Sequence, residues 1–258
     1  MKPCKSTIAL SFSKAAVSYD QSAALQRKIG DTLLVGLCPT QAVDTLLDLG
    51  CGTGYFSKVL KKRFPQSILI GADLAEGMLQ QAKNTVNDAL WVAGDAEILP
   101  FQSNSVDVVF SNLALQWCHD FSKVLDEVYR ILRPGGFFLF TTLCHGTLQE
   151  LKHSWQAVDN HIHVNQFMGF AEYMTLLNNS HFSIDACCCH PEVAYYPTLT
   201  ALMADLKGIG AHNINPNRSK GLTTRQQIAH LIKAYEQYRD ERGLPSTYQV
   251  LYGYLSKR

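Results

Sequence analysis

Residues 46–54 pass from an apolar run ending on an acid, Leu46-Leu47-Asp48-Leu49, straight into three alternating glycines, Gly50-Cys51-Gly52-Thr53-Gly54. Glycine lets a backbone turn sharply and approach a ligand with no Cβ in the way, and a helix opening at such a turn points its free N–H groups at the same place. Tyr55 to Phe64 reads as that helix, so a ligand site is expected at the carboxyl end of the strand. Asp73 closes the next apolar run, Ser67 to Ala72, and follows Gly50 by 23 residues. That is close to the spacing at which an acid meets a ribose diol in nucleotide-binding sheets.

Strand and helix signals alternate along the chain, which predicts an α/β fold with a mainly parallel sheet covered on both faces. Strands are read at about 43–49, 67–73, 89–94, 106–111 and 137–143, with a last alternating strand from Thr247 to Leu255. Helices are read at about 54–64, 75–87 and 120–132, the last stopping before Pro134. Ahead of the first strand, residues 12–36 read as amphipathic helix, with Phe12, Ala16 and Tyr19 and then Leu25, Ile29 and Leu33 at helical spacing. Residues 146–180 and 197–243 also read as helical and lie outside the alternating core, where substrate choice is expected to reside. The whole reads as one domain over 1–258: a lid at about 12–36, a ligand-binding core at 43–145, two substrate-side insertions and a last strand at 247–255.

The glycine spacing separates two kinds of nucleotide site. The G-x-G-x-x-G form lays a pyrophosphate on the helix N-terminus, whereas this chain has G-x-G-x-G. Asp48 to Gly54 resembles motif I of the class I S-adenosylmethionine-dependent methyltransferases, whose cofactor is a nucleoside with an amino-acid tail and no phosphate. Later segments match that family in order. Asp73-Leu74 looks like the ribose-binding acid and its neighbour, with Met78 bordering the adenine, and Gly94-Asp95-Ala96 like the segment that meets the adenine amino group. Ser105 to Asn112 resembles the fourth strand, and Leu132-Arg133-Pro134-Gly135-Gly136 the turn before the fifth. The resemblance implies a Rossmann-like sheet of seven strands with an antiparallel C-terminal strand and a helical lid. It also implies S-adenosylmethionine as methyl donor, held by Asp48, Gly50, Gly52, Gly54, Asp73, Leu74, Met78, Asp95, Ala96 and Asn112.

Composition excludes several other classes. With 47% hydrophobic and 17% charged residues the chain is globular rather than disordered. No apolar run is long enough to cross a bilayer, and the N-terminal run stops after Ile8-Ala9-Leu10, too short for a signal peptide. Eight cysteines without such a signal point to reduced thiols and a cytoplasmic location. Net charge is only +1, but residues 201–258 hold nine Lys/Arg against four Asp/Glu, a basic lobe suited to an acidic partner or to a solvated helix face. Without a basic stripe interleaved with aromatic residues, no nucleic-acid partner is expected, and no membrane partner either.

Segments at both ends narrow the resemblance. Phe12 to Asp20, with F-x-x-A-A-x-x-Y inside it, is similar to the opening of the biotin-synthesis methyltransferases that act on malonyl-acyl-carrier protein. Tyr196 to Ala211, Gly221-Leu222-Thr223, Tyr235 to Arg239 and Gly243 to Gly253 are similar to that family's C-terminal half. What this implies is methyl transfer to the free carboxyl of malonyl-acyl-carrier protein or malonyl-coenzyme A. A carboxylate ionised at neutral pH needs no general base, so the chain must supply placement and exclusion of water. Tyr19 is expected to position the acceptor, and Arg218 or Arg225 to contact its carboxylate or the carrier's phosphate, with Lys207, Lys220 and Arg225 steering an acidic carrier. The alternatives are a methyltransferase of another small acid or quinone-like ring, and a non-catalytic assembly protein on the same fold.

Other residues carry less. Cys187-Cys188-Cys189-His190 points to alternate faces of a strand and has no C-x-x-C partner, so no metal is expected. His161 and His163 lack a convincing third ligand and read as surface residues. Trp117 fits a core position or a wall of the donor pocket, and His119 the start of the helix at Phe121.

Overall fold

A computed structural model describes residues 3–39, 41–211 and 224–258. At its centre β1 (Thr45–Leu49) is buried on every residue, as a strand covered on both faces must be. The other strands are β2 (Ile68–Asp73), β3 (Leu90–Ala93), β4 (Val106–Asn112), β5 (Leu132–Leu143), β6 (Ser183–Tyr196) and β7 (Leu244–Ser256). They form one sheet in the order β3-β2-β1-β4-β5-β7-β6. The first five are parallel, while β7 runs antiparallel to both β5 and β6.

The period of two along each strand sends neighbouring side chains to opposite layers. Leu46, Val108, Leu139 and Val250 join one core, where Ile29, Leu33, Phe56, Leu60 and Tyr235 pack on them. Leu47, Val109, Phe138, Phe140 and Leu251 join the other, with Leu125, Val128, Tyr173 and Leu177. The helices supplying these layers include α3 (Ala24–Val35), α4 (Tyr55–Arg63), α6 (Phe121–Ile131), α8 (Phe170–Asn178) and α10 (Arg225–Glu236). α6 shows how the sequence builds one: Phe121, Val124, Leu125, Val128 and Ile131 make a single apolar stripe, all buried. Its N-cap Asp120 accepts a bond from Ser122 N at 3.0 Å, and the bonds from Ser122 hold that carboxyl below its usual range. The remaining helices are α1 (Lys5–Ala15), α2 (Tyr19–Ser22), α5 (Glu76–Thr85), α7 (Gln149–Gln156) and α9 (Leu199–Gly208).

Two expectations are corrected. The single helix over 12–36 is three, α1, α2 and α3, and begins at Lys5. The turn at 132–136 is folded into the start of β5: Leu132 pairs with Val106 and Phe137 with Val108, so the extra residues bulge out. Arg133, in the bulge, reaches Asp107 at 2.8 Å, and Asp107 also accepts the backbone N–H groups of Asp44 and Thr45. The sheet has the seven strands the resemblance implies; the six given bounds from the sequence leave out only those of β6, which underlies Cys187–His190, carries Pro191 and pairs only with β7, as a proline-bearing edge strand should. Cys187, Cys188 and Cys189 lie in β6, and all eight cysteines are free thiols. Among the described residues no helix is long and apolar enough to cross a membrane.

Across β5 and β7, fully buried Phe140 stands opposite Gly253, where an added Cβ would lie 2.3 Å from the ring. Phe140 also stacks on Phe138, with centroids 4.9 Å apart, so the ring has nowhere to retreat. Gly253→Ala is expected to destabilise the fold by about 1–3 kcal/mol, and Phe140→Leu in the same chain to recover part of that loss, as read by denaturant unfolding of the single and double variants.

Candidate active site

Strand order reverses between β1 and β4, so the connections leaving their carboxyl ends part and open a crevice. Four strand ends line it: Gly50 and Gly52 after β1, Asp73, Leu74 and Met78 after β2, Gly94, Asp95 and Ala96 after β3, and Asn112 to Leu115 with Trp117 after β4. Gly50 (φ +73°) leaves β1 left-handed, and a Cβ there would lie 2.2 Å from that of Ala114. At Gly52 (φ +54°) a Cβ would meet nothing within 4 Å, so the turn keeps open space over its backbone.

Asp73 is held at both oxygens: Oδ2 accepts from Gly52 N at 2.9 Å and Oδ1 from Ala75 N at 2.8 Å. Burial pushes its carboxyl up, and those backbone bonds pull in the other direction. Asp95 Oδ1 accepts from Glu97 N at 3.0 Å, while Oδ2 is paired with Lys5 of α1, which also reaches Glu97 at 2.9 Å. Asn112 donates to Gln26 O at 2.9 Å and accepts from Thr141 Oγ1 at 2.8 Å, which ties the end of β4 to α3.

Two expected cofactor contacts, Asp48 and Gly54, do not line the crevice. Asp48 is buried behind the turn, bonded to Ser57 Oγ at 2.6 Å, and burial pushes its carboxyl up to about 7. Gly54 (φ +84°) caps the start of α4. Both shape the turn from behind. His119 donates its N–H to Glu97 Oε1 at 2.5 Å, its Nε2 lies 2.8 Å from Pro3 O, and it lines neither cavity.

The N-terminal helices close the crevice. α1 lays Lys5, Ile8, Ala9 and Phe12 across it, and Ser13 Oγ accepts from Gly77 N at 3.2 Å. A Cβ at Gly77 would come 2.8 Å from the Ser13 backbone, so the glycine permits this close approach. Further on, Asp20 Oδ1 accepts from Thr53 Oγ1 at 3.1 Å and from Arg27 at 2.9 Å, which fastens the segment to the glycine turn.

A second cavity adjoins the first and shares Phe12, Tyr19, Leu113 and Trp117 with it. Phe12 and Trp117 meet edge to face at 5.2 Å. Leu113 holds φ +50°, unusual for a branched side chain, and its N–H bonds to Thr141 O and Oγ1 at 3.2 and 2.9 Å. Tyr19, expected to position the acceptor, is in the shared wall, and burial beside Asp73 and Asp20 pushes its hydroxyl up, so it stays protonated. Deeper in the second cavity lie Gln26, Gln116, His163, Asn165 and Tyr248. His163 Nε2 is 2.7 Å from Asp159 Oδ1, and its ring stacks on Trp155 with centroids 3.6 Å apart and planes 6° from parallel. The sequence sets His163 on the surface in a stretch read as helical, but residues 157–169 form no helix and the folded chain brings the ring inward. Arg225 starts α10, is exposed and lines neither cavity; Arg218 and Lys220 fall outside the described residues. Lys207 is exposed on α9.

The first cavity fits S-adenosylmethionine. Asp73 stands where a ribose diol would be met, Leu74 and Met78 offer apolar walls, and the glycine turn leaves its backbone open. Lys5 alone among the described lining residues is a cation, and it is already paired with Asp95 and Glu97, so nothing there favours a phosphate. Fold and crevice together define a class I S-adenosylmethionine-dependent methyltransferase.

The methyltransferase-domain family matches residues 47–140. The malonyl-[acyl-carrier protein] O-methyltransferase of Yersinia pestis is 41% identical over 97% of this chain and 91% of its own. That of Serratia marcescens is 38% identical over 97% and 95%. The biotin biosynthesis bifunctional protein BioHC of Cellvibrio japonicus is 43% identical over 98% of this chain, which spans 50% of that longer protein. Among solved structures, the YcgJ protein of Bacillus subtilis (TM-score 0.59, 18% identity, 90% of this chain and 98% of that one) and geranyl diphosphate C-methyltransferase of Streptomyces coelicolor with S-adenosyl-L-homocysteine (0.56, 17%, 90% and 79%) share the fold. The chain belongs to the family of malonyl-[acyl-carrier protein] O-methyltransferases.

Asp73→Ala is expected to weaken S-adenosylhomocysteine binding about tenfold to a hundredfold by calorimetry, the loss of charged hydrogen bonds. Asp48 gives a contrasting outcome. Its folded carboxyl titrates near 7, well above its unfolded value, so the stability it contributes is full below about pH 4 and lost as pH rises through 7. Asp48→Asn, which cannot ionise, is therefore expected to gain on the wild type by on the order of 1–3 kcal/mol between pH 4 and pH 8 in thermal unfolding.

Proposed function

We propose that the protein transfers a methyl group from S-adenosylmethionine to the free carboxylate of malonyl-acyl-carrier protein, giving the malonyl methyl ester that starts pimeloyl assembly in biotin biosynthesis. The observation that carries this reading is the wall of Phe12, Tyr19, Leu113 and Trp117, common to a donor cavity and an acceptor cavity. When bound, S-adenosylmethionine supplies a methyl group on positively charged sulfur, so a carboxylate oxygen forms the new C–O bond while the broken C–S bond leaves its electron pair on sulfur. No proton moves. The acceptor is already an anion at neutral pH, so no general base is required.

The chain's work is therefore binding, alignment and drying. Asp73 and the backbone at Gly50 and Gly52 hold the donor's ribose and amino-acid tail; Leu74, Met78 and Ala96 border the adenine, with Asp95 at its amino group and Asn112 fixing the turn beside it. Tyr19 positions the acceptor, its protonated hydroxyl serving as donor and its ring excluding water. Phe12 and Trp117 complete the aromatic wall. Exposed Arg225 and Lys207 are suited to steering an acidic carrier, a long-range effect that salt would weaken. Arg218 is the remaining candidate for the carrier's phosphate. A cytoplasmic setting belongs to this reading and is supported by eight free thiols.

The deciding experiment mixes the protein with methyl-labelled S-adenosylmethionine and either malonyl- or acetyl-acyl-carrier protein and reads the acyl group by mass. Label on the malonyl form alone is the expected result; transfer to a small acid instead, or none despite donor binding, overturns the assignment. In the same assay Tyr19→Phe is expected to lower turnover roughly tenfold to a hundredfold while S-adenosylhomocysteine affinity holds, because the ring remains and only the positioning hydroxyl is lost.

A further inference from the structure

The acceptor cavity must select an anion, yet no arginine or lysine lines it among the described residues. Its polar lining is Tyr19, Gln26, Gln116, His163, Asn165 and Tyr248, and of these only His163 can take a positive charge. That imidazole is built into place. Asp159 Oδ1, which also accepts from His161 N at 2.8 Å, lies 2.7 Å from Nε2, and buried Trp155 covers one ring face. The carboxylate fixes a proton on Nε2 and holds the ring in one orientation. What the ring has left for the cavity is its Nδ1 edge.

We propose that His163, held by Asp159 and Trp155, is the residue that recognises the acceptor's carboxylate and so sets malonyl over acetyl thioesters. The inference rests on the methyl-transfer reading above. As imidazolium the ring donates Nδ1–H to one carboxylate oxygen. As neutral imidazole with its proton on Nε2 it would turn a lone pair toward the anion. Malonyl binding therefore takes up a proton when the free enzyme holds His163 neutral. A single N–H also suits the chemistry better than an arginine fork, which would engage both oxygens of the group that must attack. One oxygen is anchored and the other keeps its lone pairs for the methyl carbon. Once esterified, the acyl group has lost its charge, and the grip on it is released.

Among the described residues few other charges bear on the ring. Asp159 and His161 share its segment. On α7, Glu150 is bonded to Thr247, and Lys152 and His153 are exposed. Across the cavity burial pushes the hydroxyl of Tyr19 up, and that of Tyr248 up to about 12, so neither ionises near neutrality. Asp205 on α9 lies near Tyr196 and Tyr248.

The test measures dissociation constants for malonyl- and acetyl-acyl-carrier protein from pH 6 to 8.5 with S-adenosylhomocysteine bound. Wild type is expected to favour the malonyl form at least tenfold at pH 6 and to lose that preference as pH is raised to 8.5. His163→Gln should bind both forms alike at every pH and raise KM about tenfold with kcat within a few-fold, S-adenosylhomocysteine affinity being unchanged. His163→Lys should restore a preference that no longer varies with pH, and Asp159→Asn, which loosens the ring, should weaken the preference without changing S-adenosylhomocysteine affinity. A preference in the wild type that is flat with pH, or one that survives in His163→Gln, overturns the proposal. Failure of the wild type to methylate the malonyl form overturns the functional reading instead, so the two failures are told apart by the first assay.

Discussion

The architecture of the site depends on one carboxylate bridging two strand ends. Asp73 leaves β2 and accepts N–H groups from Gly52, in the turn after β1, and from Ala75, ahead of α5. An anion with both oxygens engaged fixes where the glycine turn sits relative to the neighbouring strand, and each oxygen keeps a further lone pair for a hydroxyl. The sheet supplies the gap by reversing its order between β1 and β4; the carboxylate supplies the alignment inside it.

The donor half was legible because its determinants are local. Glycines that need positive φ, an acid closing a strand and apolar runs with period two are properties of short windows, and each maps onto one strand end. Leu46 and Leu47, or Val108 and Val109, already assign themselves to opposite layers by alternation. Even so, residue type misled where side and depth mattered. Asp48 sits two residues before Gly50 in the motif, but pleating turns it behind the turn onto Ser57, away from the crevice.

The second cavity was far less legible, since it is assembled from distant pieces. Its lining combines α1 and α2, the turn after β4, the segment after α7, α9 and β7. Nothing in the run from Asp159 to Phe167 announces a stacked, carboxylate-bonded imidazole, because Trp155 lies on the preceding helix and the cavity is closed by the far end of the chain. The bounds of β6 were illegible for a related reason: an edge strand is half-buried along its length and shows no clean alternation. Arg225 is the contrasting case, a residue of the right chemistry that the fold sets at an exposed helix start outside both cavities.

One helix serves as roof to two rooms. α1 spans the donor crevice with Lys5, Ile8, Ala9 and Phe12, and through Phe12 it reaches the acceptor cavity as well. Its Lys5 end is moored to Asp95 and Glu97, and its last turn rests against Gly77 through Ser13. A substitution in the Phe12 turn of α1 therefore alters the walls of both chambers at once.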